Sequence, residues 1–298
     1  MKGVGCMAVG EERICSVDDI PGLSQHFFVT GDGVRLHYTV CGHGPCILLL
    51  HGFGSDSSCY AYAMDALCDH FRVYALDQRG HGLSDKPDYG MKIARLAADV
   101  RALLSHEHIA RVGMVGHSMG CAVIWSYIEL FGEEGLSSLS FIDEPPMILG
   151  DFEWPDTERR NAGAFVTDIH AYARWPERPF HEDPFAWPLP NPLPGTWYSK
   201  KLLRPQWTGN RAALSRLLLN HAAQDWRDLI PRVKTPALIF TGHCSGWMES
   251  QRWMASVMQN ASLSVFSQEE SGGHDLFFQN PVRFDRELRE FLLIHASV

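Results

Sequence analysis

The chain has 298 residues, of which 45% are hydrophobic and 20% charged, and a formal net charge of -9. That length can bury a large core in a single unit, and the composition is ordinary for a globular protein. The negative balance argues against a polyanion partner, so no nucleic acid is expected, and no apolar run approaches the roughly 18 residues of a membrane span.

Residues 1–22 are read as a loose arm. Met1 to Gly10 hold one lysine and a short, glycine-broken apolar patch, too weak for a signal peptide. The eight cysteines (Cys6, Cys15, Cys41, Cys46, Cys59, Cys68, Cys121, Cys244) form no C-x-x-C pair. They are expected to be reduced thiols in a cytoplasmic protein.

In chain order, strand-like segments at 25–30 and 34–40 flank Gly31-Asp32-Gly33, a hairpin signal. The run Cys46-Ile47-Leu48-Leu49-Leu50 reads as a buried strand ending in His51-Gly52-Phe53-Gly54, a turn whose backbone N–H groups can face a ligand. A helical stretch over 57–70 leads to a strand at 71–76, which ends in Asp77-Gln78-Arg79-Gly80-His81-Gly82-Leu83-Ser84-Asp85. A helix over 92–106 precedes the apolar run Arg111 to Val115, followed by Gly116-His117-Ser118-Met119-Gly120 and a helix-like stretch over 121–131. The next strand ends in Ser140-Phe141-Ile142-Asp143. After a long insertion come a strand at 236–242, a helix at 247–259, a last strand at 262–266, the loop Ser271-Gly272-Gly273-His274-Asp275 and a helix at 281–294.

This alternation predicts an α/β fold: a mainly parallel eight-stranded sheet with helices on both faces. Sites in such sheets lie at the carboxyl ends of the strands, where all of these motifs fall. A G-x-S-x-G between strand and helix has the form of a nucleophile elbow. The tight turn leaves room only for glycine at its flanks and lifts the serine clear of the sheet. Ser118 then stands at a helix N-terminus, where partial positive charge favours an oxyanion.

The segment between residues 144 and 230 differs in composition, holding eleven of the seventeen prolines and six of the nine tryptophans. It is too long for a simple crossover. Helical pieces are expected over 156–173 and 210–225, with a proline-rich loop over 179–205 between them.

The HG-x-G, D-x-R-G-x-G-x-S, G-x-S-x-G and late G-x-H elements, in this order, resemble the α/β-hydrolase family over roughly residues 24 to 296. The resemblance implies a core of residues 23–143 and 231–298, and a cap at 144–230 inserted after the sixth strand. It implies Ser118 as nucleophile, His274 as its base, and the backbone N–H groups of Phe53 and Met119 as oxyanion donors. Many members carry their acid three residues after the glycine ending the seventh strand. Here Gly242-His243-Cys244-Ser245 puts a serine there. Some branches carry the acid at the end of the sixth strand, which points to Asp143, with Glu144 the alternative.

Asp77, Arg79 and Asp85 are read as structural hydrogen-bonders, and His51 and His117 as residues that pack or bond the loops. Cys244 and His243 have no second pair at metal-ligand spacing, and no P-loop or dinucleotide fingerprint occurs, so neither metal nor cofactor is expected. The implied activity is that of a serine hydrolase, monomeric or homodimeric, cleaving a small apolar ester or lactone. The alternatives are a cofactor-free lyase, an oxygenase or a carbon-carbon bond hydrolase acting on an aromatic substrate, or a ligand-binding receptor on the same fold.

Overall fold

The computed structural model describes residues 20–150, 153–174 and 210–296. Eight strands form one sheet: β1 (Ser24–Val29), β2 (Arg35–Cys41), β3 (Cys46–Leu50), β4 (Arg72–Leu76), β5 (Val112–His117), β6 (Leu136–Ile142), β7 (Ala237–Gly242) and β8 (Ala261–Phe266). Their order is β1-β2-β4-β3-β5-β6-β7-β8. The β1–β2 and β2–β4 pairs are antiparallel, and every other pair is parallel. The helices among the described residues are α1 (Ala61–Leu67), α2 (Ile93–His106), α3 (Met119–Phe131), α4 (Asp156–Ala162), α5 (Ile169–Ala173), α6 (Arg211–Ala222), α7 (Met248–Val257), α8 (Leu276–Gln279) and α9 (Pro281–His295). None of them is long and apolar enough to cross a membrane.

The central strands are apolar runs because both faces of a parallel sheet are covered. Period-two alternation divides them between two core layers. Leu48, Leu50 and Met114 join Trp125 and the α2–α3 layer, while Ile47, Leu49 and Val115 join Phe284, Leu288 and the α1–α9 layer. Hairpin closure at residues 31–33 matches the sequence signal, with Thr30 N–H donating to the Val34 carbonyl at 2.9 Å and Gly33 at φ 82°.

Two predicted helices differ in detail. The stretch 57–70 begins as a 3₁₀ turn, Ser57–Tyr60, and is α-helical only over α1. The stretch 156–173 is broken into α4 and α5, because Gly163 takes a left-handed conformation that ends α4. The helix foreseen over 210–225 is α6, started by the Asn210 side chain accepting from Ala213 N–H at 3.2 Å. The expected arm lies outside the described residues except for 20–22, and so does the proline-rich loop 179–205. Cys41, Cys46, Cys59, Cys68, Cys121 and Cys244 carry free thiols, while Cys6 and Cys15 are not among the described residues.

Candidate active site

The loop between β5 and α3 holds Ser118 at φ 51°, ψ -129°, a strained conformation for a residue with a side chain. Its tightness accounts for the flanking glycines. A Cβ on Gly116 would lie 2.7 Å from the Gly120 carbonyl and the Cys121 nitrogen, and one on Gly120 would overlap the Leu50 carbonyl oxygen at the end of β3. Cys121 N–H donates to the Ser118 carbonyl at 2.7 Å, and Ser118 N–H donates to the Ile142 carbonyl at 2.9 Å. These bonds lock the elbow to the end of β6.

Asp143 follows that strand end directly. It is fully buried, with φ 50°, and its N–H donates to the Phe240 carbonyl of β7 at 3.0 Å. His274 arrives from the loop after β8, its Nδ1 2.9 Å from Asp143 Oδ2, with 21% of its side chain exposed. Burial works against a charged imidazole. The hydrogen bond and charge of Asp143, with Asp275 and Glu144 adding, outweigh burial and hold His274 above its ordinary value. His117, next to Ser118, donates from Nε2 to the His274 carbonyl at 3.1 Å, and the two rings lie 4.6 Å apart. Burial and the neighbouring His274 keep His117 neutral. The elbow, Asp143 and His274 are thus joined by direct bonds.

The loop after β3 lies against the elbow, since a Cβ on Gly52 would stand 3.0 Å from Ser118 Cβ. His51 is fully buried and orders this loop. Its Nε2 accepts from Gln78 N–H at 3.0 Å, which leaves Nδ1 as the donor to the Gly52 carbonyl at 2.7 Å. A trans peptide points its N–H opposite to its C=O, so this bond fixes the direction of the Phe53 N–H. Met119 opens α3, at the helix end whose N–H groups lack helical acceptors. His81 packs edge-on against the Phe53 ring at 5.6 Å, and burial lowers its pKa to about 3.

The supporting residues read as structural do form hydrogen bonds. Asp77 accepts from Ser57 N–H and Leu83 N–H at 2.7 Å and from His37 Nδ1 at 2.9 Å. Arg79, fully buried, reaches Asp99 at 2.7 Å and Asp32 at 3.0 Å. Asp85 accepts from Arg35 N–H at 2.8 Å.

Glu144, the alternative acid, faces another histidine. Its Oε1 lies 2.8 Å from His221 Nε2 on α6, and both side chains are buried. Two consecutive acids therefore serve two different imidazoles. Glu144→Gln is expected to lower stability by about 1–3 kcal/mol in urea titration and to leave reaction at Ser118 within about threefold of wild type. A loss of reactivity as deep as that of an Asp143 variant would instead make Glu144 the acid.

Sequence reasoning missed Thr241 and Trp247 as neighbours of the site, and read Ser245 only as a serine standing where the acid commonly is. Thr241 Oγ1 donates to Asp143 Oδ1 at 2.7 Å, Ser245 Oγ donates to Asp143 Oδ2 at 2.8 Å, and the Trp247 ring lies 5.0 Å from that of His274. The one available signal was the serine at the commoner acid position.

The model of the alpha/beta hydrolase family matches residues 47–287. The chain belongs to that family. An esterase from Exiguobacterium antarcticum superposes with a TM-score of 0.71 at 20% identity, covering 90% of this chain and 98% of its own. An esterase from a Rhodococcus species gives 0.71 at 23%, covering 91% and 98%. At these identities the likeness is one of fold. A soluble epoxide hydrolase of a Corynebacterium species is 38% identical over 96 residues, 32% of this chain and 34% of that protein. The alignments span 30% to 34% of the length of the first curated relatives matched. The two solved structures are esterases, whereas the Corynebacterium relative is an epoxide hydrolase.

Proposed function

We propose that the protein is a serine hydrolase cleaving a carboxylic ester or lactone with an apolar part through an acyl-enzyme on Ser118. The observation that carries this reading is the 2.9 Å pairing of His274 Nδ1 with Asp143 on a loop bonded to the residue beside Ser118. With Nδ1–H engaged by Asp143, Nε2 of His274 is left to take the Ser118 proton as the hydroxyl attacks the carbonyl carbon. The developing oxyanion is received by the N–H groups of Phe53 and Met119. Collapse expels the alcohol, which takes the proton from His274. Water deprotonated by His274 then attacks the acyl-enzyme, and the acid departs as Ser118 recovers its proton.

A serine at the elbow supports acyl chemistry, whereas family members that open epoxides use an aspartate there. We assign residues 144–230 to a cap, 23–143 and 231–298 to the core, and 1–22 to an arm. Helices α4 to α6 lie between β6 and β7 in the chain, and α6 is tied to the core by Ile93 N–H donating to Asn220 Oδ1 at 2.8 Å. The Trp247 and Phe53 rings beside the site support an apolar substrate part. The placement of Asp143 at the end of β6 favours one second reading, a cofactor-free oxygenase- or lyase-type reaction on an aromatic ring, because some cofactor-free oxygenases of this fold carry their acid there.

The test is reaction with a fluorophosphonate, read by intact mass and peptide mapping, on wild type beside His274→Ala. A stoichiometric adduct on Ser118 that is absent in His274→Ala is expected. The rate should rise with pH, because only neutral His274 acts as a base. Asp143 favours the charged ring, so the midpoint of that rise is expected above about 6.5. Folded protein that takes up neither this probe nor a smaller phosphonylating agent would sink the hydrolase reading.

A further inference from the structure

The turn after β7 is bound to the segment carrying His274. Gly242 packs so closely on Gly272 that an added Cβ would overlap its backbone. Cys244 N–H donates to the Gly272 carbonyl at 2.8 Å, and Ser245 N–H donates to the Gly242 carbonyl at 2.9 Å. Within this turn, Ser245 Oγ accepts from Trp247 N–H at 3.0 Å and donates to Asp143 Oδ2 at 2.8 Å. The accepted bond orients the hydroxyl, since a backbone N–H on its lone pair leaves the proton directed elsewhere, here at the carboxylate. Oδ2 is the oxygen that faces His274, and Thr241 holds the other. The adjoining Trp247 ring stands edge-on to His274 at 5.0 Å. One short turn therefore touches both members of the acid–base pair.

We infer that Ser245 is a positioning residue for the Asp143–His274 pair. This rests on the proposed hydrolase reading for its consequence in rate. β6 and β7 are parallel neighbours with Ile142 beside Phe240, so their following turns converge on one point. Ser245 Oγ is already within hydrogen-bond distance of the oxygen that His274 faces. The Ser245 hydroxyl also draws charge from Oδ2. Without it the carboxylate favours imidazolium more strongly, so His274 titrates higher while its geometry loosens.

The experiment uses the full chain as Ser245→Ala and Ser245→Thr. Fluorophosphonate capture at Ser118 gives the rate, and NMR titration of the His274 ring gives a readout independent of turnover. Ser245→Ala is expected to react about tenfold more slowly on the high-pH plateau, with the His274 midpoint raised by a few tenths of a pH unit. Ser245→Thr, which keeps the hydroxyl, should stay within about threefold of wild type. Wild-type rate and an unmoved His274 midpoint in Ser245→Ala would overturn the positioning role. Should the alanine variant not fold, Ser245→Cys carries the same test, with similar shape and a weak donor. A wild type that fails to react, combined with a shifted His274 in Ser245→Ala, sinks the hydrolase reading and leaves the positioning role standing.

Discussion

Asp143→Asn is expected to lower turnover of an activated ester by about 10⁴-fold while the protein remains folded. The substitution preserves shape and removes the charge that stabilises an imidazolium. It also conflicts with its surroundings, because both carboxylate oxygens accept: Oδ1 from Thr241, and Oδ2 from Ser245 and His274. An amide presents one acceptor and one donor. If the NH₂ group faces His274, Nδ1 must become an acceptor and the ring proton moves to Nε2, where it blocks the base that Ser118 needs. If the amide oxygen faces His274, the NH₂ group meets the Thr241 hydroxyl, which can rotate, but the charge is still lost. Steady-state kinetics beside a melting curve decide the matter. Turnover near wild type in a folded Asp143→Asn protein would remove Asp143 from the mechanism.

Gly120→Ala is expected to destabilise the protein by about 3 kcal/mol or more, lowering the melting temperature by roughly 5–10 °C. Gly120 has no unusual φ, so the reason is steric. The new methyl would overlap the Leu50 carbonyl oxygen and stand 2.9 Å from the Leu50 carbonyl carbon and 3.1 Å from the His51 oxygen. These atoms are backbone at the end of a central strand paired on both sides, and they cannot rotate away as a side chain would. Relief requires α3 and β3 to separate, which moves Ser118 away from the loop carrying Phe53. Reaction at Ser118 should therefore fall together with stability. A Gly120→Ala protein that melts like wild type would mean that the elbow is looser than its packing indicates.

The parts of the site readable in the sequence share one property: their chemistry needs a local backbone form. Gly116 and Gly120 announce an elbow because the turn excludes side chains, and Gly52 announces the close approach of the β3 loop. Hydrophobic runs at β3, β5 and β7 were legible because both faces of the sheet are covered, which removes the polar positions that alternation would otherwise show. The break at Gly163 was harder to see. A glycine inside a helical pattern reads equally as a tolerated residue or a stop, and its surroundings decide which. Here Pro145, Ser250 and Trp247 crowd the space where its side chain would be, and the left-handed turn ends α4.

Local signals thus settled the fold class, the order of elements and the position of Ser118 by themselves, since turn chemistry and periodicity depend on residues close together in the chain. The partners of Asp143 lie 98, 102 and 131 residues away, and those of Glu144 77 and 107 residues away. Nothing in a strand end reading Ile142-Asp143-Glu144 says which acid faces which histidine. That division follows from the adjacency of β6 and β7 and from a backbone turn at φ 50° that sends Asp143 toward Thr241, Ser245 and His274. Side-chain direction at a strand end depends on the packing of neighbouring strands and loops, so only the tertiary structure decided it.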